Sequence, residues 1–225
     1  VKNMAKDPKT VYELCYKIWE PALENAKAEA AELQKIIDKE GGNFKLEPWD
    51  WWYYAEKLRK EKYDLDEEEL RPYFKLENVI DGAFGLATKL WGITFEERTD
   101  IPKYHEEVTV FEVKDSDGSH IGLLLTDYFP RESKRGGAWM NPFRQQSNMN
   151  GNDVTPIISN VCNFTKPTAT APSLLTLEEV QTLFHEFGHA LHGLLSECHW
   201  VSLSGTSVSR DFVELPSQIM ENWAT

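Results

Sequence analysis

His185, Glu186 and His189 are the residues whose types and spacing most clearly point to chemistry. On a helix the two histidines lie one turn apart, so both imidazole rings leave the same face and can bind a single zinc ion. Glu186 lies about 100° further round the helix, where its carboxylate can reach a metal-bound water rather than the metal itself. The motif therefore predicts a zinc site with His185 and His189 as ligands and Glu186 as general base.

The third metal ligand decides the type of zinc site, because a catalytic zinc ion keeps three protein ligands and one position for water. A metzincin would place a glycine and then a histidine at fixed positions after the second ligand. This sequence has His192 and Leu195 at those positions, which excludes that extension. We therefore expect a carboxylate from a following helix.

Glu214 is the carboxylate that the sequence favours as the third ligand. Glu197 follows the first helix too soon to fold back easily, whereas Glu214 and Glu221 both lie in a second helical pattern. Pro216 is tolerated in that helix only if Glu214 lies within its first turn, where backbone amides have no intrahelical partner. Glu221 is left open, either as a residue that supports the site or as an exposed one.

Other polar residues near the motif have open roles. His192 lies one turn beyond His189, but as a fourth ligand it would displace the reactive water, so we assign it to packing or substrate contact. Asp211 either orients a ligating histidine through its free ring nitrogen or, like Ser209, caps the second helix. The remaining histidines have no partner spacing and are expected to be surface or structural residues: His105, His120 and His199.

The helix that must carry the motif has a clear start signal. Thr176 and Glu179 fit a capping box, in which a hydroxyl and a carboxylate satisfy free amides of the first turn. Apolar residues then recur along 177–194, which predicts a buried helix. The alternative is a buried helix that contains these polar residues by coincidence, but each of them would then need a partner when desolvated. A metal ion supplies that partner.

The rest of the chain has helical patterns first and strand patterns afterwards. Four segments are predicted to be helical, the first with a point of breakage at Pro21: 8–40, 48–63, 64–69 and 76–92. Two strand patterns flank Asp115–Gly118 as a hairpin, and 155–164 is a further strand. Residues 130–153 are rich in Gly, Pro, Asn and Arg, which predicts a loop.

The expected fold class is mainly α-helical with a small antiparallel β-sheet near the active site, and the two zinc-site helices form a gluzincin-like pair. We divide the chain into a helical region, 1–100, and a region with the sheet and the zinc-site helices, 101–225. Together they are expected to form one incomplete catalytic domain. The tryptophans and tyrosines of WDWWYYAEKLRKEKY are expected to pack in a core or a domain interface.

The composition excludes several kinds of partner. Of the 225 residues, 41% are hydrophobic, which is enough for a core, and the formal net charge is −13. Such a charge disfavours nucleic acid and anionic membranes, and no apolar run is long enough to span a bilayer. The cysteines Cys15, Cys162 and Cys198 are far apart and form no disulfide or zinc motif. We expect a cytoplasmic protein, with the periplasm as the alternative because a targeting segment could precede Val1.

Two segments resemble the thimet-oligopeptidase family of zinc peptidases: FHEFGHALHGLL and SRDFVELPSQIMENWA. The segment DYFPRESKRGGAWM is similar to the branch that contains bacterial peptidyl-dipeptidases, which release C-terminal dipeptides from short peptides. The resemblance implies His185, His189 and Glu214 as zinc ligands, Glu186 as the base and one zinc ion per site. It also implies a mostly helical fold with two lobes around a channel that admits short unstructured peptides.

The function expected from this resemblance is zinc-dependent hydrolysis of short peptides, with release of C-terminal dipeptides. The alternatives are an oligoendopeptidase of the same family or a non-catalytic module that binds peptides and zinc. The loop Gly136–Trp139 either lies beside the substrate backbone, since glycines allow close approach, or is an ordinary surface loop. The chain resembles the middle third of such an enzyme as an internal fragment, so we expect weak activity or none from it alone.

Overall fold

A computed structural model describes residues 5–63 and 67–224, which form two compact units, one before Leu70 and one from Leu70 onward. Helices α1 to α6 are Pro8–Lys39, Trp51–Tyr63, Glu67–Leu70, Leu76–Trp91, Leu177–Leu194 and Leu215–Glu221. Strands β1 to β5 are Thr94–Glu97, Thr109–Lys114, His120–Asp127, Trp139–Arg144 and Ile157–Val161. Within the described ranges, none of the helices combines the length and the apolar character that a membrane crossing requires.

The first unit is built from the pairing of α1 with α2. Asp7 caps α1, since its side chain accepts a hydrogen bond from the amide of Thr10 at 2.9 Å. Pro21 lies inside α1 without ending it, so the helix continues where the sequence allowed a break. The core of this unit consists of Leu33, Ile36, Ile37 and Tyr54.

The aromatic cluster around the start of α2 is mostly exposed. Tyr54 is buried, but Trp52 is 82% exposed, and Trp49 and Tyr53 are exposed as well. Of the two environments predicted for this cluster, a core is therefore wrong for these three residues, and a domain interface stays a prediction. Aromatic content alone cannot distinguish a buried face from an exposed one when every position in a row is aromatic.

The predicted helix ends agree unevenly with the structure. α2 begins at Trp51 rather than at Pro48. Residues 64–66, which open the predicted third helix, lie outside the described residues, and α3 follows directly after them. α4 ends before Gly92, as predicted, and this glycine adopts the left-handed conformation at φ 76°.

A five-stranded sheet organises the second unit, with the strand order β1-β2-β3-β5-β4. β2 and β3 form the predicted hairpin, in which Gly118 has a φ of 85°. β5 is the predicted last strand, but it runs parallel to β3, whereas the other neighbouring strands are antiparallel. The prediction of a purely antiparallel sheet is therefore wrong, because the sheet is mixed.

The mixed sheet arises because β4 forms inside the segment that was predicted to be a loop. The chain runs from β3 to the outer position, forms β4 and returns as β5, which lies between them. Glycines and Pro142 conceal the strand pattern, although an edge strand tolerates a proline. The register of β4 against β5 also shifts between Pro142 and Arg144. β1 begins at Thr94 and therefore lies inside the region 1–100, which was predicted to be helical. The division of the chain into the regions 1–100 and 101–225 stays a prediction.

α5 packs against the sheet and carries the HEFGH segment. Its predicted capping box is confirmed: the hydroxyl of Thr176 accepts from the amide of Glu179 at 3.1 Å, and the Glu179 carboxylate accepts from the Thr176 amide at 2.8 Å. Phe187 is buried in the core between helix and sheet. Asn160 of β5 donates to the backbone oxygen of Glu186 at 2.8 Å, which ties the motif to the sheet.

α6 packs against α5 at a point where α5 has no side chain. A Cβ atom on Gly188 would lie 2.6 Å from the Cα atom of Ser217 and 2.8 Å from the backbone oxygen of Pro216. Real Cβ atoms do not approach backbone so closely, so only glycine permits this contact. The two helices therefore lie nearly backbone to backbone beside the HEFGH segment.

The start of α6 differs from the prediction. Glu214 is the residue that precedes the helix, so Ser209 and Asp211 do not cap it. The backbone oxygen of Ser209 accepts hydrogen bonds from the amides of Phe212 and Val213, so the chain turns before the helix begins. Glu214 therefore lies immediately before the first turn rather than within it, and Pro216 is the second residue of the helix.

Substitution of the glycine at the helix contact tests the packing. Gly188→Ala is expected to lower the free energy of unfolding by about 1–3 kcal/mol, because its methyl group overlaps the backbone of α6. Gly82→Ala in α4 is the matched control, since a Cβ atom there meets nothing within 4 Å. That substitution should stabilise the protein by up to about 1 kcal/mol. Urea unfolding measures both effects, and equal stabilities of the two variants would contradict the close contact.

Candidate metal centre

The three residues proposed as metal ligands meet between α5 and α6. Glu214 Oε2 lies 3.2 Å from His185 Nε2 and 3.1 Å from His189 Nε2. One donor atom from each residue can be chosen so that all three lie within 4.8 Å of one another. The two imidazole rings are 4.9 Å apart and nearly perpendicular, at 84°. The structure thus brings together a set of side chains that can share one ion.

The spacing of these donor atoms fits a zinc ion. Two ligands of a tetrahedral zinc ion lie about 3.4 Å apart when each bond is about 2.1 Å long. The observed separations of 3.2 Å and 3.1 Å are close to that value. The Glu214 side chain is 51% exposed whereas that of His189 is 12% exposed, so the group is open to solvent on one side. Two imidazoles and a carboxylate with an open side are the ligands of a catalytic zinc rather than of a closed structural one.

Glu221 contacts His185 at Nδ1, the ring nitrogen that does not face Glu214. Its Oε1 lies 2.5 Å from His185 Nδ1, and its Oε2 accepts a hydrogen bond from the side-chain amide of Gln181 at 2.9 Å. The hydrogen bond with His185 lowers the pKa of Glu221, so the carboxylate stays charged. Such a carboxylate fixes the ring and leaves the other nitrogen for a metal. Of the two roles that the sequence left open for Glu221, the structure favours support of the site.

Glu186 is buried beside the three ligands. It is 7% exposed, and its Oε2 has no hydrogen-bond partner among the residues that the structure describes. The pKa of Glu186 is raised to about 7, chiefly because burial disfavours the charged carboxylate; the positive charge of protonated His185 lowers this pKa and the negative charge of Glu214 raises it. A divalent cation in the adjacent site would favour the charged carboxylate. Without a bound cation, the carboxyl group of Glu186 therefore holds its proton more tightly than an exposed glutamate does.

A cavity of about 340 Å³ opens in front of this group. Its lining residues come from α5, from α6 and from the loop before β4: Ala138, Glu178, Gln181, Thr182, His185, Glu186 and Glu221. Ala138 belongs to the loop Gly136–Trp139, for which the sequence left two interpretations open. Because Ala138 borders the same cavity as His185 and Glu186, this loop is part of the site rather than a remote surface loop.

His192 does not join the three ligands. Its ring lies 6.3 Å from the ring of Phe212, beside an apolar cavity of about 490 Å³. Burial lowers the pKa of His192, which keeps the ring neutral. These contacts support the packing role proposed for it. The sequence left Asp211 open as a carboxylate that orients a ligating histidine, but the carboxylate that contacts Nδ1 of His185 is that of Glu221. Asp211 is exposed, and its role stays a hypothesis.

The remaining histidines make local hydrogen bonds away from the metal centre, in line with the structural role expected for them. His120 Nδ1 lies 2.9 Å from a carboxylate oxygen of Glu112, and His199 Nδ1 lies 3.1 Å from the side-chain oxygen of Asn148. His105 Nδ1 accepts a hydrogen bond from the backbone amide of Glu107 at 3.3 Å.

The fold and the site together define a candidate metal centre of the HExxH type, with its third carboxylate on the following helix. The chain belongs to peptidase family M3, whose family model matches residues 1–225. The resemblance to a peptidase family seen in the sequence is thereby confirmed.

Relatives in this family carry two kinds of name. The chain is 50% identical over 224 residues to the dipeptidyl carboxypeptidases of Escherichia coli (strain K12) and of Salmonella typhimurium, which covers 99% of the chain and 33% of each relative. It is 40% identical over 223 residues to oligopeptidase A of Salmonella typhimurium, which covers 98% of the chain and 33% of that relative. The chain thus spans about a third of the length of the curated relatives it matches.

Metal affinity separates the roles of the carboxylates at the site. Glu214→Ala is expected to abolish tight zinc binding because it removes a ligand, whereas Glu221→Ala should weaken binding by about 10–100-fold because it only frees the ring of His185. Glu197→Ala, which removes an exposed carboxylate after α5, is the control and should change nothing. Competition with a chelator of known affinity measures all three. An unchanged affinity in Glu214→Ala would overturn its assignment as a ligand.

Proposed function

We propose that this chain carries the catalytic metal centre of a zinc-dependent peptidase that hydrolyses short peptides. His185, His189 and Glu214 hold one zinc ion, and Glu186 acts as the general base. The observation that carries the proposal is the meeting of three metal-binding donor atoms from His185, His189 and Glu214. Beside them lies the buried carboxylate of Glu186, one oxygen of which has no hydrogen-bond partner among the described residues, and this residue lines one cavity together with His185. Membership of peptidase family M3 supports peptide hydrolysis as the reaction.

The residues of the proposed site have separate roles in proton transfer and in orienting a ligand. Zinc, when bound, supplies Lewis acidity toward a water molecule and toward the peptide carbonyl. Glu186 accepts the proton of the attacking water and later donates it to the leaving amine. Burial raises the pKa of Glu186, so its carboxylate is a stronger proton acceptor than an exposed glutamate, which suits a general base. Glu221 holds His185 at Nδ1, which would leave Nε2 for a zinc ion, and no side chain forms a covalent bond with the substrate.

An extended peptide fits the surface beside the proposed metal centre. β4 is an edge strand, and Ala138, which directly precedes it, lines the same cavity as His185 and Glu186. A peptide can add to a free strand edge through main-chain hydrogen bonds. This arrangement supports the interpretation that the loop Gly136–Trp139 lies beside the substrate backbone. It favours short unstructured peptides over folded proteins as substrates.

Release of C-terminal dipeptides is the reaction that we propose. The relatives named dipeptidyl carboxypeptidase share 50% of their aligned residues with this chain, whereas an oligopeptidase A shares 40%. Cleavage inside oligopeptides is the alternative, because both names occur among relatives of the same family. A non-catalytic zinc module is less favoured, since a closed site needs a fourth ligand and His192 packs beside a different cavity.

The general base can be tested without disturbing the metal. Glu186→Gln in the full-length gene product should lower kcat on N-acetyl-tetraalanine at least about 100-fold, because the amide cannot accept a proton. Zinc content, measured by atomic emission, should stay the same. Glu77→Gln, an exposed position in the first turn of α4, is the control and should keep full activity. Retained hydrolysis in Glu186→Gln would contradict the mechanism.

The cleavage mode can be read from the first products. N-acetyl-hexaalanine should lose dialanine from its C-terminus, and the same peptide with an amidated C-terminus should react much more slowly. Mass spectrometry of early time points identifies the fragments. Cleavage at internal bonds, without regard to the distance from the C-terminus, would instead favour the oligoendopeptidase alternative.

A further inference from the structure

The loop between β3 and β4 forms one wall of the metal-centre cavity. It runs over 128–138, and its last residue, Ala138, lines the cavity. Most of its second half is exposed, including Arg135, Gly136 and Gly137. A cavity wall made from exposed loop backbone keeps its position only if other residues hold it there. Two side chains, Lys134 and Asn163, hold this loop.

Lys134 holds the base of the loop. Its Nζ donates to the backbone oxygens of Asp127 at 3.0 Å, Phe129 at 2.7 Å and Cys162 at 2.5 Å, and it lies 3.2 Å from the Asp127 carboxylate. The side chains of Lys134 and Asp127 are 4% and 2% exposed. One ammonium group therefore joins the end of β3, the loop and the residue after β5.

The Asp127 carboxylate is fully engaged on its other sides. Arg131 donates to its two oxygens at 2.7 Å and 2.9 Å, and the hydroxyl of Tyr104 donates at 2.8 Å. The charges of Lys134 and Arg131 thus pair with the Asp127 carboxylate, and these contacts hold the three side chains in fixed positions. The base of the loop is rigid for this reason.

Asn163 holds the end of the loop that reaches the cavity. Its side-chain amide donates to the backbone oxygen of Arg135 at 3.0 Å and to that of Gly137 at 2.7 Å. Gly137 has a φ of 88°, a conformation that favours glycine, and Ala138 follows it directly. The two hydrogen bonds therefore fix the backbone on both sides of Gly136, immediately before the wall of the cavity.

We propose that Asn163, with Lys134 behind it, is a positioning residue for the peptide substrate, because it sets the place of the loop wall and of the first residues of the edge strand. This inference rests on the proposed function. Water can satisfy the backbone oxygens of exposed residues such as Arg135 and Gly137, so the two hydrogen bonds add little to stability. Their main effect is on the position of the backbone against which a peptide lies.

Two substitutions at Asn163 test the proposal in the full-length gene product. Asn163→Ala removes both donors, and Asn163→Asp places a carboxylate oxygen against two backbone oxygens. For N-acetyl-tetraalanine, KM is expected to rise about three- to tenfold in Asn163→Ala, the effect of losing one or two hydrogen bonds, and at least as much in Asn163→Asp. We expect kcat to change less than about twofold and zinc content to stay constant, since the hydrogen bonds of the Asn163 side chain go to the loop and not to the proposed metal ligands.

A binding measurement makes the test independent of turnover. In the Glu186→Gln background, the Kd of N-acetyl-tetraalanine should rise by the same factor when Asn163→Ala is added. Asn25→Ala is the matched control, because the Asn25 side-chain amide donates a hydrogen bond to Glu29 on the exposed surface of α1, at 3.1 Å. Lys134→Met should have the same effect on KM together with a lower stability.

The outcomes separate the two proposals. Unchanged KM and Kd in both Asn163 variants would overturn the positioning role, even if Lys134→Met fails to fold. A loss of kcat or zinc in step with KM would also overturn it, because the residue would then act on the metal centre. If the unsubstituted protein binds the peptide and zinc but does not hydrolyse the peptide, the proposed function fails, while a higher Kd in Asn163→Ala still supports the positioning role.

Discussion

The whole candidate site depends on the close approach of α5 and α6 at Gly188. Because this residue has no side chain, the backbone of Ser217 and Pro216 can lie against α5. That distance decides where the two carboxylates of the second helix fall. Glu214 reaches Nε2 of His185 from the front of the ring, and Glu221, two turns later on the same helix, reaches Nδ1 from the back. A single ring is therefore held by both ends of one short helix.

Burial changes the acidity of Glu186, the carboxylate that α5 carries between the two histidines. Glu186 is buried, which raises its pKa, while its backbone oxygen accepts a hydrogen bond from the buried side-chain amide of Asn160 in the interior of the sheet. The sheet thus fixes the position of the proposed base through its backbone, and among the described residues one of its carboxylate oxygens has no hydrogen-bond partner. Rigid support from the sheet and an open carboxylate are the two conditions that a general base needs.

Local patterns predicted the elements of this site better than their arrangement. Thr176, the HEFGH spacing and the proline after Glu214 each act within a few residues, so the motif helix and the first turn of the next one could be inferred from the sequence. The contact of Glu221 with His185 follows from the same helical spacing, but nothing local distinguishes it from an exposed carboxylate. The parallel pairing of β3 with β5 is a long-range contact, and it depends on β4, which contains Pro142 and directly follows a glycine-containing segment, so that its sequence resembles a loop. The exposure of Trp52 is likewise set by what packs nearby rather than by its own type.

The proline in β4 has a consequence for how the edge of the sheet meets other strands. Pro142 has no N–H group, and the register shift just after it turns the strand out of line. A long strand from another molecule cannot pair along this edge, because its ladder of hydrogen bonds would stop there. The part of the edge next to Ala138 keeps its backbone groups. The proline therefore limits the length of any strand that could add to this edge, and pairing beside Ala138 would involve only a few residues.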